Sequence, residues 1–223
     1  MSPPIARVAI IFALLVGTNG HAQQRRENHL DTLPRAASSA TTIVPIFSQL
    51  LLFSTPKDFR PANEALRDRK YVQQSIPAGE SLDRWTEMIT VTGEKDVATL
   101  QGVTPQKLAE AMASVYQASC PGSFRAASFG AVKVDDYDGF ATVVGCGISD
   151  TDSSRSLAVL VVTIKGERDM YTLQWSQRGP PSTTPLVIDA PRWQDRLSRI
   201  APVRLCAIVV GEGPPYPSCA QRR

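Results

Sequence analysis

Between Leu157 and Arg178 the chain reads LAVLVVTIKGERDMYTLQWSQR, two apolar alternations separated by a charged turn. Alternation of period two puts every second side chain on one face of a strand. Folding about Glu167 and Arg168 sets Ile164 opposite Tyr171, Val162 opposite Leu173 and Leu160 opposite Trp175. A face built from such pairs of large apolar groups must be core. The first strand is also apolar on its second face, through Val159 and Val161, whereas the second carries Thr172, Gln174, Ser176 and Arg178 there. That contrast predicts a central strand beside a more peripheral one.

The rest of the chain is read outward from this hairpin. Ile46 to Phe53 is an apolar run predicted to be the first strand, ending before Pro56, and the charged stretch from Phe59 to Lys70 has no assignable period. Tyr71 to Ile76 and Trp85 to Thr92 are strand-like runs joined by Pro77, Ala78, Gly79, Glu80 and Ser81, and should pair antiparallel. Thr104 and Pro105 open a helix, with the hydroxyl as cap and proline at the first helical position, and Leu108, Ala111, Met112 and Val115 as its apolar stripe. Ala126 to Val134 and Phe140 to Cys146 form a second hairpin, with Asp138 and Gly139 as the turn signal. A last helix, capped by Asp189, buries Trp193, Leu197 and Ile200 and stops at Pro202.

Residues 1–22 carry the marks of a secretory signal peptide: Arg7, an apolar run from Val8 to Val16, and the small residues Gly20 and Ala22 before a cut. That run is too short to span a bilayer, so no transmembrane segment is expected after cleavage. Residues 23–45 read as a flexible leader, residues 46–206 as a single α+β domain, and residues 207–223 as a Pro-rich tail tied by a disulfide. Export makes the location periplasmic or secreted. The net charge of +3 is scattered, which argues against nucleic acid as partner.

Export also places four cysteines, Cys120, Cys146, Cys206 and Cys219, where pairing is the rule. Cys120 precedes the strand that hairpins onto the one ending in Cys146, so these two are predicted to pair, leaving Cys206 with Cys219. The spacing contains no C-x-x-C redox motif. Both histidines of the chain, His21 and His29, fall before the expected domain, which removes triad chemistry and imidazole metal sites from it. Asp135, Asp136 and Asp138 cluster without the spacing of a calcium loop, and belong to a turn. No catalytic residue, metal or cofactor is therefore assigned. Trp85, Trp175 and Trp193 are read as core. The one binding candidate is Arg178, on the polar face beside Gly179 and Pro180.

RWTEMITVTG at Arg84 to Gly93, CPGSF at Cys120 to Phe124, YTLQWSQRGP at Tyr171 to Pro180 and PVRLC at Pro202 to Cys206 resemble stretches of small exported proteobacterial proteins without assigned function. The order of elements is similar to the PsbP-like α/β/α fold. That resemblance implies a sheet covered by helices and a role in binding or assembly, and transfers no catalytic residue. The prediction is an α+β fold with a mostly antiparallel sheet of about five to seven strands and two main helices. Its expected function is non-enzymatic binding of an envelope protein or small ligand. A carboxylate-dependent hydrolase of envelope polymers and a periplasmic inhibitor or immunity protein are the alternatives.

Overall fold

The computed structural model describes residues 28–221, so the expected signal peptide lies outside the described residues. In chain order the strands are β1 (Asn28–His29), β2 (Ser39–Ile46), β3 (Gln49–Pro56), β4 (Phe59–Arg67), β5 (Lys70–Pro77), β6 (Glu87–Glu94), β7 (Phe124–Val134), β8 (Tyr137–Cys146), β9 (Ser156–Lys165), β10 (Met170–Gly179) and β11 (Arg204–Ala207). The helices are α1 (Pro105–Ser119), α2 (Ala190–Ile200) and α3 (Pro217–Ala220). One sheet has the order β1-β7-β8-β9-β10-β6-β5-β4 and the other β11-β3-β2. Every pairing is antiparallel except that of β1 with β7. The fold is thus α+β with a mostly antiparallel sheet and two main helices, as the alternation patterns require.

The β9–β10 hairpin has the register read from its apolar alternation, with Ile164 opposite Tyr171, Val162 opposite Leu173 and Leu160 opposite Trp175. All six side chains are fully buried in the main core. Opposite that core face of the long sheet lies the small sheet, whose Val44, Ile46, Leu51 and Phe53 join the same cluster, together with Trp193, Leu197 and Ile200 of α2. The two sheets approach closely where the β2–β3 turn meets β6. A Cβ at Gly93 would collide with the Ile46 side chain there.

Several expectations are corrected. β10 is not peripheral, because β6 pairs along its other edge and Thr172 and Ser176 are buried. The strand count exceeds seven because four segments where none was expected, β1, β2, β4 and β11, are strands. β2 occupies part of the expected leader, and Leu30, also in that leader, is fully buried. The unassigned charged stretch is β4, an edge strand with mostly exposed side chains, a bulge at Pro61/Asn63 and hence no apolar alternation. The first strand is split in two by the Phe47 turn, whose φ of 53° is a left-handed position. The 124–146 hairpin turns at Asp135 and Asp136, with Asp135 at φ 51°, so Asp138 and Gly139 lie inside β8. His29 lies in β1, within the sheet and not in a leader. The tail is better packed than its prolines suggest: Tyr216 and Cys219 pack against Leu50 and Leu52 of β3, while Ile208, Val209 and Val210 stay exposed.

Helix α1 begins as its sequence dictates. Thr104 Oγ1 accepts a hydrogen bond from the Lys107 amide at 3.2 Å, a cap worth about 1 kcal/mol. Its buried stripe is rotated from the expected one. Pro105 and Ala109 are buried, Met112, Ala113 and Tyr116 pack on Val144, Val159 and Val161, and Ala111 and Val115 face outward. Asp189 caps α2 by accepting from the Arg192 amide at 3.4 Å.

Candidate functional site

At the Gly179 end of β10, strand geometry turns the Arg178 side chain to the face that carries α1, away from the main core. Its backbone N–H donates to Thr86 O at 2.9 Å and its Nη1 to Asp83 O at 3.3 Å. These bonds clasp the segment holding Trp85, and the guanidinium carbon sits 3.8 Å from the centre of the Trp85 ring. A cation over an indole face at this distance is attracted by the ring quadrupole.

The Trp85 loop is held on both sides. Glu80 accepts from the Thr86 amide and from its hydroxyl, each at 2.7 Å, and Arg60 donates to Glu80 O at 2.8 Å. Facing it stands the C-terminal half of α1, fixed by the Cys120–Cys146 disulfide, with Cα atoms 5.8 Å apart. The second bridge, Cys206–Cys219, ties the tail to β11. Both bridges follow the pairing read from the order of strands. The loop after β8 is pinned as well: Ser123 Oγ donates to Ile148 O and accepts from its amide.

Between these walls lies a groove of about 410 Å³ lined by Trp85, Val115, Tyr116, Leu157, Arg155 and Arg178 among others. Arg155 is neutralised by Asp152, with Nε to Oδ2 at 3.0 Å. Hydrogen bonds from the Ser154 hydroxyl and amide hold the Asp152 carboxyl below its ordinary range, with Arg155 assisting. Arg178 makes no ion pair among the described residues. Burial, then the like charge of Arg155, lowers its pKa from the usual guanidinium value, and Asp152 opposes that shift. The groove therefore presents one uncompensated, partly desolvated cation beside an aromatic ring and an aliphatic wall. Such a site gains most from an anion that restores the missing charge-assisted hydrogen bonds.

Arg178 was visible in the sequence as a polar residue at the end of a buried strand, and the structure makes it the floor of this groove. Trp85 was not visible as its partner. Expected in the core, it is half exposed, because the Pro77–Thr86 loop lifts it off the sheet. Trp175 and Trp193 are core.

Another cavity, lined by Ser48, Lys95, Asp96, Arg168 and Asp169 among others, brings two acids together. Asp96 is bonded to Arg168 at 2.9 Å and Arg69 at 3.3 Å. Asp169 is raised by burial, yet hydrogen bonds from the Ser48 hydroxyl, the Asp96 amide and the Ser48 amide outweigh this and keep it below the ordinary carboxyl range. A glycosidase acid must be held protonated, and Asp169 is held ionised. Among the described residues no group of three or more His, Cys, Asp or Glu side chains is placed to hold a metal ion, and no helix is long and apolar enough to cross a membrane.

No family model matches the chain, and no curated protein matches its sequence. Among solved structures, the Ran-binding protein Mog1p of Saccharomyces cerevisiae aligns over 73% of this chain and 86% of its own, at 12% identity and a TM-score of 0.40. LpqN, involved in cell envelope biogenesis of Mycobacterium tuberculosis, aligns over 75% and 91%, at 11% identity and a TM-score of 0.37.

Proposed function

We propose that the chain is an exported, non-enzymatic binding protein of the periplasm or cell exterior, and that the Trp85–Arg178 groove takes an anionic group attached to an apolar or aromatic body. The observation that carries this reading is a half-buried guanidinium, stacked on an indole and making no ion pair among the described residues, in a groove of ligand size whose one acid, Asp152, is bonded to Arg155. Four cysteines in two bridges suit the oxidising side of a membrane. The order of helix, antiparallel strands and closing helix supports placing the chain near the PsbP-like exported proteins, whose roles are in binding and assembly.

Titration with benzoate, followed by tryptophan emission, tests the site, since Trp85 is the one tryptophan of the three that is not buried. Benzoate is expected to change that emission and benzyl alcohol, the same ring without the charge, is expected not to. Arg178→Gln should weaken benzoate at least about tenfold, the equivalent of roughly 1.4 kcal/mol. Equal affinity in wild type and variant, or equal response to the alcohol, overturns the assignment. Fractionation of expressing cells, with the mature chain starting at Gln23 in the periplasm or medium, tests the location.

A further inference from the structure

Helix α1 contacts β7, β8 and β9, so the same face of the long sheet continues beyond it over β6, β5 and β4. Register lines up two rows of side chains on that open half. Gln174, Thr90, Gln74 and Asn63 form one row, and Thr172, Thr92, Val72 and Ala65 the next. All but Thr172 are half exposed. A solvated sheet face ordinarily carries lysine and glutamate, yet these eight positions hold no charge in a chain that is 20% charged. Asn63 donates to Gln74 Oε1 at 2.9 Å, which orders the row, while Gln174, Thr90 and Thr92 have no side-chain hydrogen bond among the described residues.

Both ends of this neutral surface are cationic. One is Arg178, two side chains along β10 from Gln174 on the same face. At the other, a cavity of about 340 Å³ is lined by Asn63, Ala65, Val72, Lys70 and Arg67. Lys70 pairs with Glu94 at 3.5 Å, whereas Arg67 makes no ion pair among the described residues. Strand spacing and rise put the two ends roughly 30 Å apart.

We infer that the open half of the sheet, running from the Trp85–Arg178 groove to Arg67, is a track for an acidic glycan. Its hydroxyls would meet the amide and hydroxyl rows and its carboxylates the two arginines. This rests on the proposed anion site and names the class of its ligand. Primary amides and threonine hydroxyls both donate and accept, which matches sugar hydroxyls. A peptide strand fits less well. The sheet edge it would extend is interrupted by Pro61 and a bulge, and the two rows carry no apolar side chain larger than valine to define pockets.

Calorimetric titration of the full chain with a galacturonic acid hexasaccharide tests the track. The hexasaccharide is expected to bind, and its fully methyl-esterified form and hexaglutamate to bind at least tenfold more weakly. Thr90→Ala combined with Gln174→Ala should weaken the hexasaccharide at least tenfold and leave benzoate within twofold, and the single Gln174→Glu variant should do the same. Benzoate binding without hexasaccharide binding, hexaglutamate binding equal to that of the glycan, or an unchanged affinity in the floor variants overturns the track while the anion groove stands. Failure of benzoate and hexasaccharide alike overturns both.

Discussion

Asp169→Ala is expected to lower the free energy of unfolding by about 3–4 kcal/mol, measured by urea denaturation. Asp169 is 1% exposed, and its carboxylate receives hydrogen bonds from two segments distant in sequence, at Ser48 and Asp96, and from Tyr171 two residues on. Ser48 donates its amide at 3.1 Å and its hydroxyl at 2.5 Å, Asp96 donates its amide at 2.7 Å, and Tyr171 Oη lies 3.3 Å away. One side chain thus ties the β2–β3 turn of the small sheet and the end of β6 to the central hairpin. Alanine removes the acceptor of two part-buried backbone N–H groups, those of Ser48 and Asp96, each worth about 1–3 kcal/mol. Asn, which keeps one acceptor oxygen, should cost less than Ala, so equal loss in both variants would show that the charge and not the acceptor geometry matters.

The same residue sets an acid limb. Its folded pKa is depressed below the unfolded value of about 3.9. The stability it contributes is therefore complete above about pH 4 and is lost as pH falls through the folded pKa. Asp169→Asn should flatten that part of the stability profile and leave the neutral region parallel to wild type.

What the sequence disclosed follows from how far each signal reaches. The β9–β10 register was legible because large apolar side chains alternate without interruption, and a shift by one residue would expose Tyr171 and Trp175. β4 was not, since an edge strand wetted on both faces has no reason to alternate, and FRPANEALR does not. The stripe of α1 was displaced because Val115, though apolar, turns outward at the rim of the groove. For the site, Arg178 stood out locally as a cation ending an otherwise buried strand. The ring that receives it lies on a loop before β6, and only the β10–β6 pairing brings the two together. The uncharged rows were equally hidden, because Asn63, Gln74, Thr90 and Gln174 become neighbours only once four strands are in register.

Trp175→Ala is expected to be as damaging, at about 3–5 kcal/mol, which for a domain of this size lowers the midpoint of thermal unfolding by roughly 10 °C or more. The indole is fully buried between Leu160 and Ile89 on the flanking strands. Phe59 meets it edge-on at 5.9 Å between ring centres. Over its ring stand two cations of α2, Arg196 at 4.7 Å and Arg199 at 5.0 Å, so its removal loses cavity volume and helix attachment together. Arg196 would keep its 2.5 Å bond to Glu87, and α2 should loosen without detaching. Phe is the discriminating control. The Trp175 Nε1 is buried and donates to no acceptor among the described residues, so Phe removes an unsatisfied N–H along with some ring area. Trp175→Phe should therefore cost about 1–2 kcal/mol, well below alanine. Because this ring faces the core and Arg178 faces the opposite side of the same strand, a stable Trp175→Phe protein should bind benzoate as wild type does. Loss of benzoate binding in that variant would mean that the groove depends on the core face of β10 and not on Arg178 and Trp85 alone.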